Sequence, residues 1–153
     1  MSKPLHSNRL SRLIKTPKLH PGDTGLACAL LGVDAAALES DRQLLGQMAE
    51  TFVFQELRRR ASWHEEPVTF HHFRDKDGVE VDIVLEGGGQ RVAGVEVKAL
   101  ATVTAADFRG LRKLKEAVGE RFATGVVLYD GEATVSFGGG LFAAPIRSLW
   151  SMS

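Results

Sequence analysis

The chain is poor in cysteine, has no net charge and carries no long apolar run, and each shortage excludes something. Its single cysteine, Cys28, cannot close an internal disulfide, which points to a reducing, cytoplasmic setting rather than a disulfide scaffold. No apolar stretch approaches the ~20 residues that a membrane span requires, so no membrane partner is expected. Lys3 and Pro4 are not followed by an apolar core, so the first residues do not read as a signal peptide. No Gly-x-x-x-x-Gly-Lys-Ser/Thr phosphate loop occurs, and no ATP site is expected. Lys plus Arg and Asp plus Glu number 19 each. That neutrality argues against a protein that coats nucleic acid by charge alone.

What is present describes a globular chain. It has 153 residues, 44% hydrophobic and 25% charged, the proportions of one ordinary domain. A chain of this length buries roughly 70% of its unfolded surface without needing staples. The charge is unevenly spread. Lys3, Arg9, Arg12, Lys15 and Lys18 fall within the first twenty residues, with no acid among them. Residues 1–22 therefore read as a basic arm and 23–153 as a single domain. The arm is either a solvated leader or a phosphate contact, made through Arg12, Lys15 and Lys18.

Periodicity sets out the elements. Asp23 caps a short helix that stops at Gly32. A second helix runs from about residue 41 to 61, with Leu45, Met48, Ala49, Phe52, Val53 and Leu57 as its apolar face. Strands follow over 68–73, 79–86 and 92–98, the first two joined by an Asp77-Gly78 turn. In the second strand Val79, Val81, Ile83 and Leu85 share one face. An amphipathic helix spans about 104–122. Residues 125–129 form a continuously apolar, central strand. Two short strands and a last helical turn near Trp150 complete a mixed-sheet α/β domain.

Chemistry is concentrated on two of these strands. Residues i and i+2 share a strand face, so Glu96 and Lys98 point together, away from Val95 and Val97. Asp82 lies opposite the apolar set of its own strand and converges with them if the two strands pair. Two carboxylates at such a point hold Mg²⁺, a hard ion that keeps several waters. A bound ion lowers the pKa of its water and stabilises charge on a phosphate in transfer. A lysine beside it orients the attacking water or offsets that charge. An acid-x-Lys triplet arises by chance roughly once in 150 residues. The weight of Glu96-Val97-Lys98 therefore rests on its place at the end of an alternating strand. Otherwise it is a solvated sheet face.

Longer stretches carry a resemblance. They are Arg12-Leu13-Ile14-Lys15-Thr16-Pro17-Lys18-Leu19, Asp23-Thr24-Gly25-Leu26, Gly46-x-x-x-Glu50-x-x-Val53-x-x-Glu56-Leu57, Phe73-Arg74, Asp77-Gly78-x-Glu80-Val81-Asp82, Val95-Glu96-Val97-Lys98 and Gly125-Val126-Val127-Leu128-Tyr129. Over about residues 9–150 the chain resembles the domain of unknown function 4143, the C-terminal part of a group of AAA+-type ATPases. That domain looks like a member of the PD-(D/E)xK restriction-endonuclease-like superfamily. The resemblance implies an αβββαβ core. It also implies a Mg²⁺-dependent DNA nuclease, with Mn²⁺ as a substitute, or a nuclease-derived DNA-interacting domain. Metal ligation falls on Asp82 and Glu96, the lysine on Lys98, and a helix acid on Glu50. Glu56 is the other candidate for that acid, because helical counting sets it amid Leu45, Ala49 and Phe52, where a carboxylate needs a partner. The family's ATPase part is absent. The chain is then a free-standing version, a remnant or an excised piece. His20-Pro21-Gly22 and Ala99-Leu100 depart from the family's usual residues.

Other residues have weaker readings. Arg74 reaches a phosphate or pairs with Asp75 or Asp77. His71 and His72 face opposite sides of a strand and are ordinary polar positions, as is His64. Arg109, Arg112, Lys113, Lys115 and Arg121 form a solvated helix face or track a nucleic-acid backbone. The rival to the nuclease is a non-catalytic module. It docks on an ATPase partner or on a second copy through an apolar rim near Phe137, Phe142 and Trp150. A third reading is a structural remnant with no independent role.

Overall fold

A computed structural model describes residues 13–14 and 41–151. The expected helix after Asp23, Cys28, and the arm residues Arg12, Lys15 and Lys18 lie outside the described residues. Helix α1 covers Arg42–Ala61. Asp41 starts it, its Oδ1 accepting the Leu44 N–H at 3.1 Å. This satisfies one of the amides that a helix start leaves without an intrahelical acceptor.

The strands are β1 (Leu13–Ile14), β2 (Thr69–Arg74), β3 (Glu80–Glu86), β4 (Val92–Lys98), β5 (Phe122–Tyr129), β6 (Val135–Gly138) and β7 (Leu141–Pro145). Helix α2 is Arg109–Val118 and a last turn, α3, is Ser148–Ser151. The sheet order is β1-β2-β3-β4-β5-β7-β6. Strands β1 to β4 pair antiparallel, β4, β5 and β7 run parallel, and β6 returns antiparallel on β7. From α1 to β5 the order is αβββαβ, and the class is the expected mixed-sheet α/β. Parallel strands need a crossover, and α2 provides it between β4 and β5.

Each face of the sheet carries its own core. Val53, Phe54 and Leu57 of α1 pack with Ile83, Val95, Val97 and Leu128. Leu111, Leu114, Ala117 and Val118 of α2 pack with Phe73, Val81, Val84, Val92 and Val127. Neighbours in sequence fall on opposite faces, as in Val127 and Leu128, so the sheet is covered on both sides.

Two expectations are corrected. Val81 and Ile83 do not share a face. Phe73 pairs with Val81, but His71 pairs with Val84, so β3 holds one more residue than β2 over this stretch. That bulge breaks the alternation, sending Val81 and Val84 to the α2 core and Ile83 to the α1 core. The helix expected through residue 122 stops at Val118. Gly119 adopts a φ of 62°, outside the right-handed helical region. After one 3₁₀ turn, Phe122 begins β5.

Candidate active site at the open end of the β3–β4 ladder

The β3–β4 ladder ends with Ile83 opposite Val95. One step further out, Asp82 stands opposite Glu96. The paired register stops short of them. Instead, Asp82 Oδ2 accepts the Val97 N–H at 2.9 Å. The carboxylate therefore takes the place of a strand carbonyl in the gap between the two strands. The β3 bulge makes this possible, because it turns the segment around Asp82 out of regular alternation.

Glu96 points to the α2 side. A Cβ on Gly110, in the first turn of α2, would lie 2.9 Å from Glu96 Oε1 and 2.3 Å from the Glu80 carbonyl oxygen. Only a residue without a side chain lets the helix approach strand and carboxylate this closely. Lys98 follows Glu96 on the same face. Its Nζ donates to Asp107 Oδ2 at 2.7 Å, with both side chains about three-quarters buried. The same Oδ2 accepts the Thr104 N–H at 2.7 Å and the Thr104 hydroxyl at 3.4 Å, in a capping box. Burial alone would raise the Asp107 pKa. The Lys98 and Thr104 bonds outweigh it and hold the group below the ordinary carboxylate value of 3.8.

The two helix acids are placed differently from the helical count. Glu50 shares the α1 stripe of Val53, Phe54 and Leu57, and its Oε1 is fully buried. Glu56 lies off that stripe. Its Oε2 accepts from Arg59 at 2.7 Å and lies 3.9 Å from Arg60 Nε. Glu56 is nonetheless only 15% exposed and has the arginine partners that such burial asks for, while the face meeting the sheet is the one holding Val53 and Glu50. Helix α1 covers the Val95 and Val97 side of β4, whereas Glu96 and Lys98 are on the α2 side. Among the described residues no three His, Cys, Asp or Glu side chains gather closely enough to ligate one ion. The acids that face each other across the ladder end are Asp82 and Glu96. Two hard oxygen donors fit Mg²⁺, which binds through one or two carboxylates and keeps its remaining waters. They do not make an all-protein cage.

Several other candidates are accounted for structurally. Arg74 is exposed, its Nε 3.8 Å from Glu80 Oε1 rather than beside Asp75 or Asp77. Asp75 is buried and organises the hairpin, its Oδ1 accepting the Asp77 and Val79 amides at 2.9 and 2.8 Å. His71 and His72 are both buried, contrary to their reading as ordinary polar positions. The cations of α2 and of the 3₁₀ turn after it bond to neighbouring elements. Arg112 donates to the Ala105 carbonyl, Lys115 to Gly139, and Arg121 to Glu86 and Gln90, each at 2.7 to 2.9 Å. A groove of ≈ 610 Å³ between α2 and the glycine turn is lined by Arg112, Lys115 and Phe137. Both of its cations are held by carbonyls. Phe137 packs on Phe108 with ring centroids 4.5 Å apart, so it is not part of an exposed rim. Val135 (44% exposed) and Phe142 (37%) are.

Asp107 is the residue that the strand pattern did not single out. A capping signal was nonetheless legible: Thr104 and an acid three positions later, before an apolar-periodic stretch.

This fold and open-ended ladder define a mixed-sheet α/β domain whose β3–β4 end carries Asp82, Glu96 and Lys98. The profile of a family described as domain of unknown function (DUF4143) matches residues 45–149, and the chain belongs to that family. No curated protein matches the chain. Among the described residues no helix is long and apolar enough to cross a membrane.

Proposed function

We propose that the domain is a metal-dependent DNA nuclease, or a DNA-interacting domain derived from one, of the PD-(D/E)xK restriction-endonuclease-like kind. The observation that carries this reading is the open end of the β3–β4 ladder. There Asp82 stands opposite Glu96, and Lys98 follows on the Glu96 face. The αβββαβ order supports it as well. Asp82 and Glu96 hold Mg²⁺, or Mn²⁺ in its place, through hard oxygens. The ion supplies Lewis-acid stabilisation of charge on the phosphate. Asp82 is oriented by the Val97 amide. The Lys98 ammonium offsets charge that develops on the phosphodiester. Arg74 and the arm residues Arg12, Lys15 and Lys18 meet the DNA backbone.

Plasmid and branched DNA, incubated with Mg²⁺ or Mn²⁺, test the proposal. Cleavage by the wild type and its loss in both Asp82→Ala and Lys98→Ala is expected. Cleavage that survives both substitutions would sink the assignment.

A second reading draws on the sheet edge. Val135 and Phe142 expose apolar surface beside edge strand β6. As a non-catalytic module, the domain docks there on an AAA+-type ATPase or on a second copy. An inert wild type whose self-association or ATPase binding is abolished by Phe142→Asp would favour this reading.

A further inference from the structure

We infer that Asp107 is the positioning residue for Lys98, and that the start of α2 thereby sets where the site's ammonium sits. The inference rests on the nuclease reading and adds a group outside the acid-x-Lys pattern. Lysine has a four-carbon stem and loses much rotamer freedom when fixed. At the end of β4, beyond its last apolar neighbour, nothing in the strand itself would hold the head group. Asp107 does so at 2.7 Å. An anchor serves only if it is itself fixed. Three donors converge on Asp107 Oδ2: the Lys98 ammonium, the Thr104 amide and the Thr104 hydroxyl. The carboxylate is thus part of the capping box that starts the 3₁₀ turn over Ala105–Phe108, which runs directly into α2. The same helix start lies against Glu96 through Gly110. Both β4 groups are therefore braced from one turn of chain. A helix moved outward by one ångström would shift the ammonium and the carboxylate together.

The chemistry this serves is electrostatic. A charge fixed beforehand stabilises a developing phosphate charge without reorganising at the moment of reaction. A mobile lysine would have to be ordered in each turnover.

The test compares Asp107→Asn, Asp107→Glu and Asp41→Ala with wild type, measuring kcat and KM for DNA cleavage beside thermal unfolding. Asp107→Asn is expected to lower kcat about a hundredfold with KM little changed, the scale of a small misplacement of a reacting group. Asp107→Glu is expected to recover part of that loss. Asp41→Ala removes the cap of the other helix, remote from Lys98. It is expected to lower the melting temperature while leaving kcat near wild type. A wild-type or raised kcat in Asp107→Asn overturns the inference. So does a kcat that follows melting temperature across all three variants, since that marks a purely structural cap. Absence of cleavage by the wild type overturns the nuclease reading itself, and this inference with it. A cleaving wild type with an indifferent Asp107→Asn overturns only the role of Asp107.

Discussion

His71 Nε2 stands 3.8 Å from Glu86 Oε1, and the other Glu86 oxygen accepts from Arg121 at 2.7 Å. The imidazole is completely buried, and among the described residues neither ring nitrogen has a hydrogen-bond partner. Burial pushes the His71 pKa below 6.5, with Arg121 acting in the same direction and Glu86 against it. The folded state therefore sheds a proton that the unfolded chain holds. Stability is full above the unfolded value near 6.5. It falls as the pH drops from there towards the lower folded value. We expect the urea midpoint to decline between about pH 7.5 and about pH 5.5, and the decline to flatten in His71→Leu. An equally steep decline in that variant would place the titrating group elsewhere.

Gly110→Ala tests the close approach of α2. In a helix, alanine gains up to about 1 kcal/mol over glycine. Here the new methyl meets the Glu80 carbonyl oxygen at 2.3 Å and Glu96 Oε1 at 2.9 Å. Backbone cannot yield as a flexible side chain does, so the clash decides the sign. Net destabilisation of about 1–3 kcal/mol is expected in urea unfolding. A stabilised variant would show that the helix start has room to retreat.

Asp41→Ala removes the side-chain acceptor of the Leu44 amide. The loss is that of an ordinary N-cap, about 1 kcal/mol. Chemical denaturation measures it, and a change below experimental scatter would mean that the first turn of α1 frays without cost.

Neither helix acid shares the face of Glu96 and Lys98, since α1 covers the opposite side of the sheet. Glu56→Gln weakens the ion pair with Arg59 and is expected to lower stability, because the carboxylate is only 15% exposed. Glu50→Gln is expected to leave the kcat of the folded protein near wild type. A kcat abolished in either variant at an unchanged melting temperature would bring that acid into the site.

Much of this was readable from the chain because the signals are local. The bounds of β4, Val92–Lys98, follow from strict alternation, and α1 starts where Asp41 offers a cap. The misreadings share another cause. The bulge in β3 depends on its pairing with β2, which no pattern within β3 records. Along α1, Leu45, Phe52, Val53 and Leu57 spread apolar character around most of the helix. Only packing against the sheet selects the face with Val53 and Glu50. At the site, Asp82, Glu96 and Lys98 were visible as residues. The partners that fix them, the Val97 amide and Asp107, belong to the neighbouring strand and to the following turn.

The extra residue in β3 also makes the hairpin unequal in the changes of length it can absorb. Around Gly87–Gly89 one residue more or less alters only a surface turn, because the ladder from Glu86 opposite Val92 inward keeps its count. Between Val81 and Ile83 the one residue that can be removed is Asp82 itself. Its deletion would equalise the count with β2 and leave Val81 and Ile83 on opposite faces, but would take away the carboxylate that accepts the Val97 amide. For this hairpin the spacing along β3 is as much a part of the acid's identity as its side chain, and an insertion scan would find the two ends of one strand obeying different rules.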